Sequence, residues 1–353
     1  MTKKTFAVLI AFLTFIVGVA LARFSFVSSH ETPPPGPIQK EFQASNYRLT
    51  GPYQHENLTI FLIHGPDQPG SRMFTPLQEA MERKLVIVHE TSDVNELAIE
   101  NVSGSEEVFV QAGDIVKGGQ QDRVLAVDLI LPAKSGQIPI NAFCVEHGRW
   151  SQRGAERGDM FSMTDNMIAT KELKLATKHA NSQARVWSEV DVAQEKLSAG
   201  VAASVRASES QSSLQLALEN EKVKASADDY MKKLSSIVEA HGDVIGFVFA
   251  INDKLNSADV YASSVMFKRF WPRLLKTAAI EAVAERPMRD TMQLVPIDSA
   301  AEFLSASEKG SETIDEVTTR THMLKREVEK SLFFETRDMA HGGSWIHRNY
   351  LMK

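Results

Sequence analysis

The chain contains two regions that differ in the spacing of their apolar residues. Up to about residue 160, short runs rich in β-branched and aromatic residues are separated by Gly, Pro and Asp, which is typical of strands and turns. The runs predict strands at Leu58–His64, Leu85–Glu90, Leu97–Val102, Glu107–Ala112, Val124–Leu131 and Ile138–Glu146. One helix is predicted at Phe74–Arg83. Since no long helix separates these strands, we expect a largely antiparallel sheet or sandwich.

The second region has helical spacing. Ser182–Leu197 and Tyr230–Val238 each carry an apolar stripe at i, i+4 and i+7. A longer helix is predicted at Ser263–Glu285, and Pro272 should kink it or split it in two. The residues that we expect to face inward from this helix are Phe267, Phe270, Trp271 and Leu274. Strands, or mixed structure, are predicted at Asp243–Ile251, His322–Arg337 and Trp345–Leu351.

Together these patterns predict an α+β fold. A β-rich, largely antiparallel part at residues 46–160 should pack with a helix-rich α/β part at residues 161–353, forming a single domain over residues 46–353. Residues 23–45 contain Pro33-Pro34-Pro35-Gly36-Pro37 and are predicted to be a proline-rich linker.

The N-terminus has the pattern of an export signal. Lys3 and Lys4 precede a 17-residue apolar run at 6–22 that ends in Ala20-Leu21-Ala22, a small-x-small site for signal peptidase. Residues 1–22 are therefore predicted to be a signal peptide or a signal anchor, with residues 6–22 as the contact with the membrane. The domain should be anchored facing outside the cytoplasm, or secreted or periplasmic if the signal is cleaved after Ala22.

Charge and cysteine content narrow the function classes. The net charge is −6, and removal of Lys3 and Lys4 leaves 37 basic against 45 acidic residues, or −8. An acidic domain is a poor ligand for a phosphate backbone, so no nucleic-acid partner is expected. Cys144 is the one cysteine, so no intramolecular disulfide can form. The histidines show no metal-ligand spacing, and no metal site is predicted.

The densest cluster of unusual residues is the run from Gln111 to Arg123. Its glycines permit close backbone approach, but Gly119-Gln120 stands where a phosphate loop needs Lys-Ser or Lys-Thr. Its polar end either binds a polar ligand or forms a turn stabilised by an Asp–Arg pair. With the second run at 144–150, the candidate ligand-binding residues are Gly118, Gly119, Gln121, Asp122, Arg123, Glu146, Arg149 and Trp150.

Alternation along a strand predicts the orientation of the second run. Cys144 and Glu146 should share one face, with His147 on the other, which disfavours a Cys–His nucleophilic pair unless the strand ends early. Cys144 is expected to be a buried small hydrophobe, and Trp150 to belong to the core.

Three places in the chain carry a resemblance to a known family. They are Ala-Gly-Asp-x-x-Lys-Gly-Gly-x-Gln-Asp-Arg at 112–123, Cys-Val-Glu-x-Gly-Arg-Trp at 144–150, and Val-Ile-Gly-Phe-Val-Phe-Ala-Ile at 244–251. In these the sequence resembles the ARG and Rhodanese-Phosphatase-superfamily-associated protein domain, a domain of unknown function, over most of the chain after about residue 50. The resemblance implies no catalytic residue, ligand, cofactor or reaction.

Three functions remain open from the sequence. The first is a non-catalytic, exported domain that binds a ligand or a protein. The alternative is a hydrolase or transferase with Glu146 as general base, at a raised pKa, and Arg123 or Arg149 holding an anionic group. The third is a scaffold that oligomerises through an exposed apolar stripe on the helix at 263–285.

Overall fold

Strands outnumber helices in the first part of the chain. The computed structural model describes residues 42–44, 47–154, 156, 158, 160–286 and 294–353. Up to Met167 the elements are β1 (Phe42–Ala44), β2 (Tyr47–His55), β3 (Leu58–His64), β4 (Thr75–Pro76), α1 (Leu77–Glu82), β5 (Val86–Asp93), β6 (Glu96–Asn101), β7 (Val108–Val110), β8 (Asp114–Gly118), β9 (Arg123–Leu125), β10 (Leu129–Leu131), β11 (Gln137–Cys144) and β12 (Phe161–Met167).

The second part begins with helices and ends with strands. Its elements are α2 (Lys171–Lys178), α3 (Gln183–Gly200), α4 (Leu214–Leu218), α5 (Glu221–Leu234), β13 (Val244–Ile251), β14 (Lys254–Tyr261), α6 (Ser264–Ala284), α7 (Ile297–Ser307), β15 (Ser311–Glu316), β16 (Thr321–Glu327), β17 (Ser331–Asp338) and β18 (Ser344–Met352). Short 3₁₀ turns follow α5 and β17.

A nine-stranded antiparallel sheet joins the two parts, in the order β1-β2-β3-β13-β14-β18-β17-β16-β15. Its central strands β3 and β13 are buried along their whole length, because helices cover both faces. Phe61 and Val248 face the core that α7 closes. Ile60 and Phe247 face the opposite core, which α6 closes. The alternation of side chains along each strand thus supplies two cores at once.

Two smaller sheets enclose a further core. One has six antiparallel strands in the order β12-β8-β9-β11-β6-β5, and the other has three in the order β10-β7-β4. The predicted strand Val124–Leu131 is two strands, because the chain passes from the six-stranded to the three-stranded sheet between Leu125 and Leu129. Both of these leucines are fully buried in the shared core. The crossing carries Asp128 inward, where it is 7% exposed.

Helix α6 confirms the predicted inward stripe. Phe267, Phe270 and Trp271 are each at most 3% exposed, and the Trp271 indole donates to the carbonyl of Ser235 at 2.8 Å. The helix is continuous across Pro272, so the alternative of a split helix is wrong. Burial of the stripe also contradicts the scaffold hypothesis, which required these residues to be exposed.

The α+β class and the largely antiparallel sheets are confirmed. The description of residues 161–353 as helix-rich is incomplete, because this part also contributes β12 to β18. Residues 42–44, assigned to the linker, form the edge strand β1. The predicted signal segment at 1–22 lies outside the described residues. None of the helices in the described part of the chain has the length and apolarity needed to cross a membrane.

Candidate functional site

The predicted glycine-rich run forms the hairpin that links β8 and β9. Gly118 and Gly119 take positive φ values of 116° and 54°. A Cβ on Gly119 would lie 2.3 Å from the ring of Phe161, so both the backbone angle and the space require glycine there. The tight turn brings the backbone N–H of Gly118 to Asp122 Oδ1 at 3.1 Å. The turn interpretation of this run is therefore correct in its geometry.

Asp122 is fully buried and is held by three donors besides Gly118. Arg153 binds it with both terminal nitrogens, Nη1 to Oδ2 at 3.0 Å and Nη2 to Oδ1 at 3.1 Å. The hydroxyl of Ser213, at the N-cap of α4, donates to Oδ2 at 2.9 Å. A paired fork of this kind fixes both groups in one geometry. The sequence pattern predicted an Asp–Arg pair here, but the arginine that binds Asp122 is Arg153 and not the adjacent Arg123.

Glu146 is the second carboxylate of this group, and it is also fully buried. Its Oε2 lies 2.7 Å from Arg149 Nη2, and its Oε1 lies 3.2 Å from Arg153 Nη1. Burial pushes the pKa of Glu146 upward, but the hydrogen bonds and charge of Arg149 outweigh it and lower the pKa. The raised pKa expected of a general base is therefore wrong. We call Asp122, Glu146, Arg149 and Arg153 the loop cluster.

Arg123 and Trp150 lie beside the loop cluster in a different set of contacts. The Arg123 side chain is fully buried, donates to Gln121 Oε1 at 3.1 Å and contacts Cys144 Sγ. Its guanidinium lies 5.5 Å from the ring of Trp150, a cation–π contact. Trp150 is 48% exposed, so its placement in the core is wrong.

Cys144 is the last residue of β11 and is fully buried, which confirms the sequence interpretation. Burial raises the pKa of its thiol to about 11, so the thiolate is disfavoured. Because the strand ends at Cys144, alternation does not extend to His147. That imidazole packs edge-on against Trp187, with ring centroids 4.7 Å apart.

The structure thus brings together Gly118, Gln121, Asp122, Glu146 and Arg149, since Gln121 Nε2 also donates to the Glu146 carbonyl at 2.8 Å. Two carboxylates and two guanidinium groups balance one another in charge. Buried ion pairs of this kind hold loops in place. A carboxylate or guanidinium group of the cluster could bind a further ion only by giving up its present partner. The binding role of these residues stays a prediction.

A second buried polar group, which the sequence did not single out, lies where the sheets meet. The imidazole of His347 is 1% exposed and stands between two carboxylates. Its Nδ1 donates to Asp128 Oδ2 at 2.7 Å and its Nε2 to Asp259 Oδ1 at 3.0 Å. Burial opposes the charged form, but the charges and hydrogen bonds of Asp128 and Asp259 outweigh it and raise the pKa of His347 to about 9. At neutral pH this is an imidazolium.

The group continues to α2 through an amide. Asn349 Nδ2 donates to Asp259 Oδ1 at 3.0 Å, and Asn349 Oδ1 accepts from Lys178 Nζ at 2.8 Å. We call Asp128, Asp259, His347, Asn349 and Lys178 the histidine cluster. Two negative and two positive charges make it neutral. Burial lowers the pKa of Lys178, although the more distant carboxylates Asp128 and Asp259 act in the opposite direction.

Lys178 lines both a groove and a smaller adjoining cavity. The cavity, of about 40 Å³, is lined by Asp259, Asn349 and Lys178 among others. The groove, of about 360 Å³, has the size of a small-molecule site. Its apolar walls include Val127, Ile140, Met323 and Phe334, and its polar residues include Asn141, Lys178, Asn181, Asp315, Glu316 and Lys325.

Few of the residues that sequence reasoning missed carried a signal in the sequence. Asp259 is a polar residue between the apolar Ala258 and Val260 of one strand, so a buried polar role was readable for it, whereas His347 is followed by the charged Arg348 and had no such signal. Lys178 had no such signal, since a lysine in the last turn of a helix is ordinarily solvated. Arg153 and Ser213, which bind Asp122, likewise carried no signal in the sequence, because both come from irregular segments.

One group within the described residues has a geometry suited to a metal ion. His55, Glu56 and Asp229 place one ligand atom each within 4.8 Å of one another. However, Glu56 Oε2 already accepts from the Tyr230 hydroxyl at 2.7 Å and lies 3.1 Å from Arg286 Nη2. The guanidinium opposes a second cation at this position.

Comparison with known proteins confirms the family resemblance. The family model of the ARG and Rhodanese-Phosphatase-superfamily-associated Protein domain matches residues 46–351. No curated protein and no solved structure matches the chain.

Proposed function

The chain belongs to the ARG and Rhodanese-Phosphatase-superfamily-associated Protein domain family, and on that premise we propose that it is an exported, non-catalytic domain that binds a small carboxylate in the groove. The family description names associations with other domains and no reaction, so the proposal depends on the geometry. The observation that carries it is Lys178. It is the charged side chain that lines both the groove and the cavity beneath it.

Charge and exposure favour an anionic ligand group at Lys178. Among the described residues, the hydrogen-bond partner of the ammonium is a neutral amide oxygen, that of Asn349, and Asp128 and Asp259 act on its charge only from farther away. Lys325 lines the same groove and supplies a second positive charge. Its Nζ lies 3.9 Å from Glu327 Oε2, but the Glu327 side chain is 41% exposed, so water screens that pair. Asp315 and Glu316 oppose the two lysines, but they lie on β15, whose six residues are all exposed, so water screens their charges. The apolar walls around Phe334 suit a short hydrocarbon chain.

The groove is a better candidate than the loop cluster for this role. The carboxylates of Asp122 and Glu146 are already bound by Arg149 and Arg153. An anion there would have to displace a buried carboxylate from its guanidinium, which costs several kcal/mol, about 3–5 for such a pair. An anion in the groove would displace no buried carboxylate.

Calorimetric titration tests the binding proposal. The full chain is titrated with 4-methylpentanoate, and with 3-methylbutylamine as a probe of similar shape and opposite charge. We expect the carboxylate alone to bind, and Lys178→Met to weaken its binding at least tenfold, about 1.4 kcal/mol. Lys309→Met, at an exposed position outside the groove, is the matched control.

Equal binding by the parent and by Lys178→Met would overturn the proposal. Since Lys178→Met leaves the histidine cluster with a net negative charge, its unfolding transition is measured first. Lys325→Met provides a second variant with no contact to the histidine cluster. Loss of binding in both variants, with retained folding, supports the groove as the site.

The export part of the proposal depends on residues 1–22 and has its own test. A reporter enzyme that needs disulfides to fold is fused after residue 45, with and without residues 1–22. We expect activity only when the segment is present. Activity of the reporter in both fusions, or in neither, would contradict export by this segment.

A further inference from the structure

Lys178 has the surroundings of a reactive amine. It is half-buried at the end of α2, and its ammonium nitrogen lies 2.8 Å from Asn349 Oδ1 and 5.1 Å from the centroid of the Phe334 ring. The Asn349 amide is itself fixed, because its Nδ2 donates to the Ala258 carbonyl and to Asp259. Asn349 thus orients one N–H of the ammonium, and the Lys178 side chain also lines the groove that a ligand would enter.

The histidine cluster favours a reaction in which Lys178 keeps its positive charge. Asp128 and Asp259 carry two negative charges, and His347 balances one of them. The second charge is balanced by Lys178. A reaction that removed the positive charge of Lys178 would leave the buried cluster negative, which is costly in a low dielectric. A reaction that keeps the charge on the same nitrogen avoids this cost.

Condensation with a carbonyl group is such a reaction. We propose that Lys178 binds a small oxo acid covalently, by forming an iminium with its carbonyl carbon, while Lys325 holds the carboxylate. The inference rests on the proposed function in one respect, since the acid must first enter the groove. It names the ligand class more narrowly, as an oxo acid with a short apolar chain.

The step balances in atoms and charge. A bond forms between Lys178 Nζ and the carbonyl carbon, the carbon–oxygen double bond breaks, and the oxygen leaves as water with two hydrogens from the ammonium. The ammonium and the iminium both carry one positive charge, so Asp128 and Asp259 compensate the product as they compensate the free side chain. The reverse reaction, by addition of water, releases the acid unchanged. No oxidant or second substrate is needed.

The lowered pKa of Lys178 agrees with this chemistry. A lysine amine attacks a carbonyl only in its neutral form, which Lys178 needs only transiently because the iminium restores the charge, and burial increases the neutral fraction at neutral pH. The lowered pKa of Lys178 adds to the geometry, in which the Lys178 side chain lines the groove and donates to the fixed Asn349 amide.

Reductive trapping tests the inference. The full chain is incubated with 4-methyl-2-oxopentanoate and sodium cyanoborohydride, whose hydride converts the iminium to a stable secondary amine. Peptide mass spectrometry then locates the label. We expect Lys178 to be labelled at least tenfold faster than the exposed Lys309. Lys178→Arg keeps the charge that balances the buried carboxylates, so it should fold normally while its trapped product at position 178 disappears.

The two proposals fail in different ways. If 4-methylpentanoate binds but Lys178 is labelled no faster than Lys309, the groove is a carboxylate site and the covalent inference is overturned. If neither compound binds and no selective label forms, the proposed function itself is overturned. Selective labelling that persists when Lys325→Met replaces the parent chain would overturn the assignment of the carboxylate to Lys325.

Discussion

His347 donates from Nδ1 to Asp128 Oδ2 at 2.7 Å, although 219 positions separate the two residues in the sequence. The bond joins β18 of the large sheet to the crossing between β9 and β10 of the small sheets. Asp128 also accepts from the Thr336 hydroxyl at 2.6 Å and from the Ala112 N–H at 2.8 Å. Burial opposes ionisation of Asp128, but the charge and hydrogen bond of His347 outweigh it and lower its pKa. The pair therefore links the sheets through a charge–charge contact.

Stability should depend on the protonation of His347. Its folded-state pKa, about 9, lies above the ordinary value of 6.5. The contribution is therefore fully present below about pH 6.5 and is lost as the pH rises through about 9, a change on the order of 3 kcal/mol. Urea unfolding of the parent and of His347→Gln at about pH 6 and about pH 9 measures it. The variant should be less stable at the lower pH, with a smaller difference at the higher pH. An equal difference at both would contradict the assignment.

The loop cluster should be a strong structural element. Asp122→Asn removes a charge that Arg153 binds in a buried fork, and we expect a loss of about 3–5 kcal/mol in the free energy of unfolding. Glu156 contacts the same guanidinium at 3.1 Å but its side chain is 26% exposed, so Glu156→Gln should cost less than about 1 kcal/mol. Chemical denaturation compares the two. Similar losses for both variants would show that burial does not set the strength of this pair.

The elements that the sequence predicted are those whose apolar pattern lies within one continuous segment. The run at Leu58–His64 forms β3 with the predicted bounds, because a buried strand with turn residues on both sides is specified by its own residues. The stripe through Phe267, Phe270 and Trp271 faced inward as expected, since helical spacing alone fixes that face. β15 was missed, because its six residues are all exposed and carry no alternation.

The candidate site was less predictable because its residues come together only in the folded chain. Lys178, Asp259 and Asn349 lie on three elements, and no spacing in the sequence links them. The same holds for Arg153, which replaced Arg123 as the partner of Asp122. Adjacent charges in a sequence suggest a pair, but strand geometry directs neighbouring side chains to opposite faces.

Gly119 should be irreplaceable for steric reasons rather than for ligand binding. A Cβ there would lie 2.3 Å from a ring carbon of Phe161, at a positive φ that other residues rarely adopt. Gly119→Ala should lower stability by about 1–3 kcal/mol, as overpacking does. Gly104→Ala is the control, because no atom lies within 4 Å of its Cβ position and its φ is not in the left-handed region. An equal decrease of the melting temperature in both variants would exclude the contact with Phe161 as the cause of the destabilisation.

Phe270 should stabilise the junction between α6 and the histidine cluster. Its ring stacks on Tyr261 with centroids 5.1 Å apart, and Tyr261 in turn stacks on the His347 imidazole at 4.7 Å. Phe270→Ala should lower the free energy of unfolding by about 3–5 kcal/mol, because it opens a cavity in a packed core. Val265, on the same helix and 47% exposed, provides the control, since Val265→Ala should change stability by less than about 0.5 kcal/mol. Urea denaturation of both variants measures the difference. Equal stability of Phe270→Ala and Val265→Ala would contradict the packing role of Phe270.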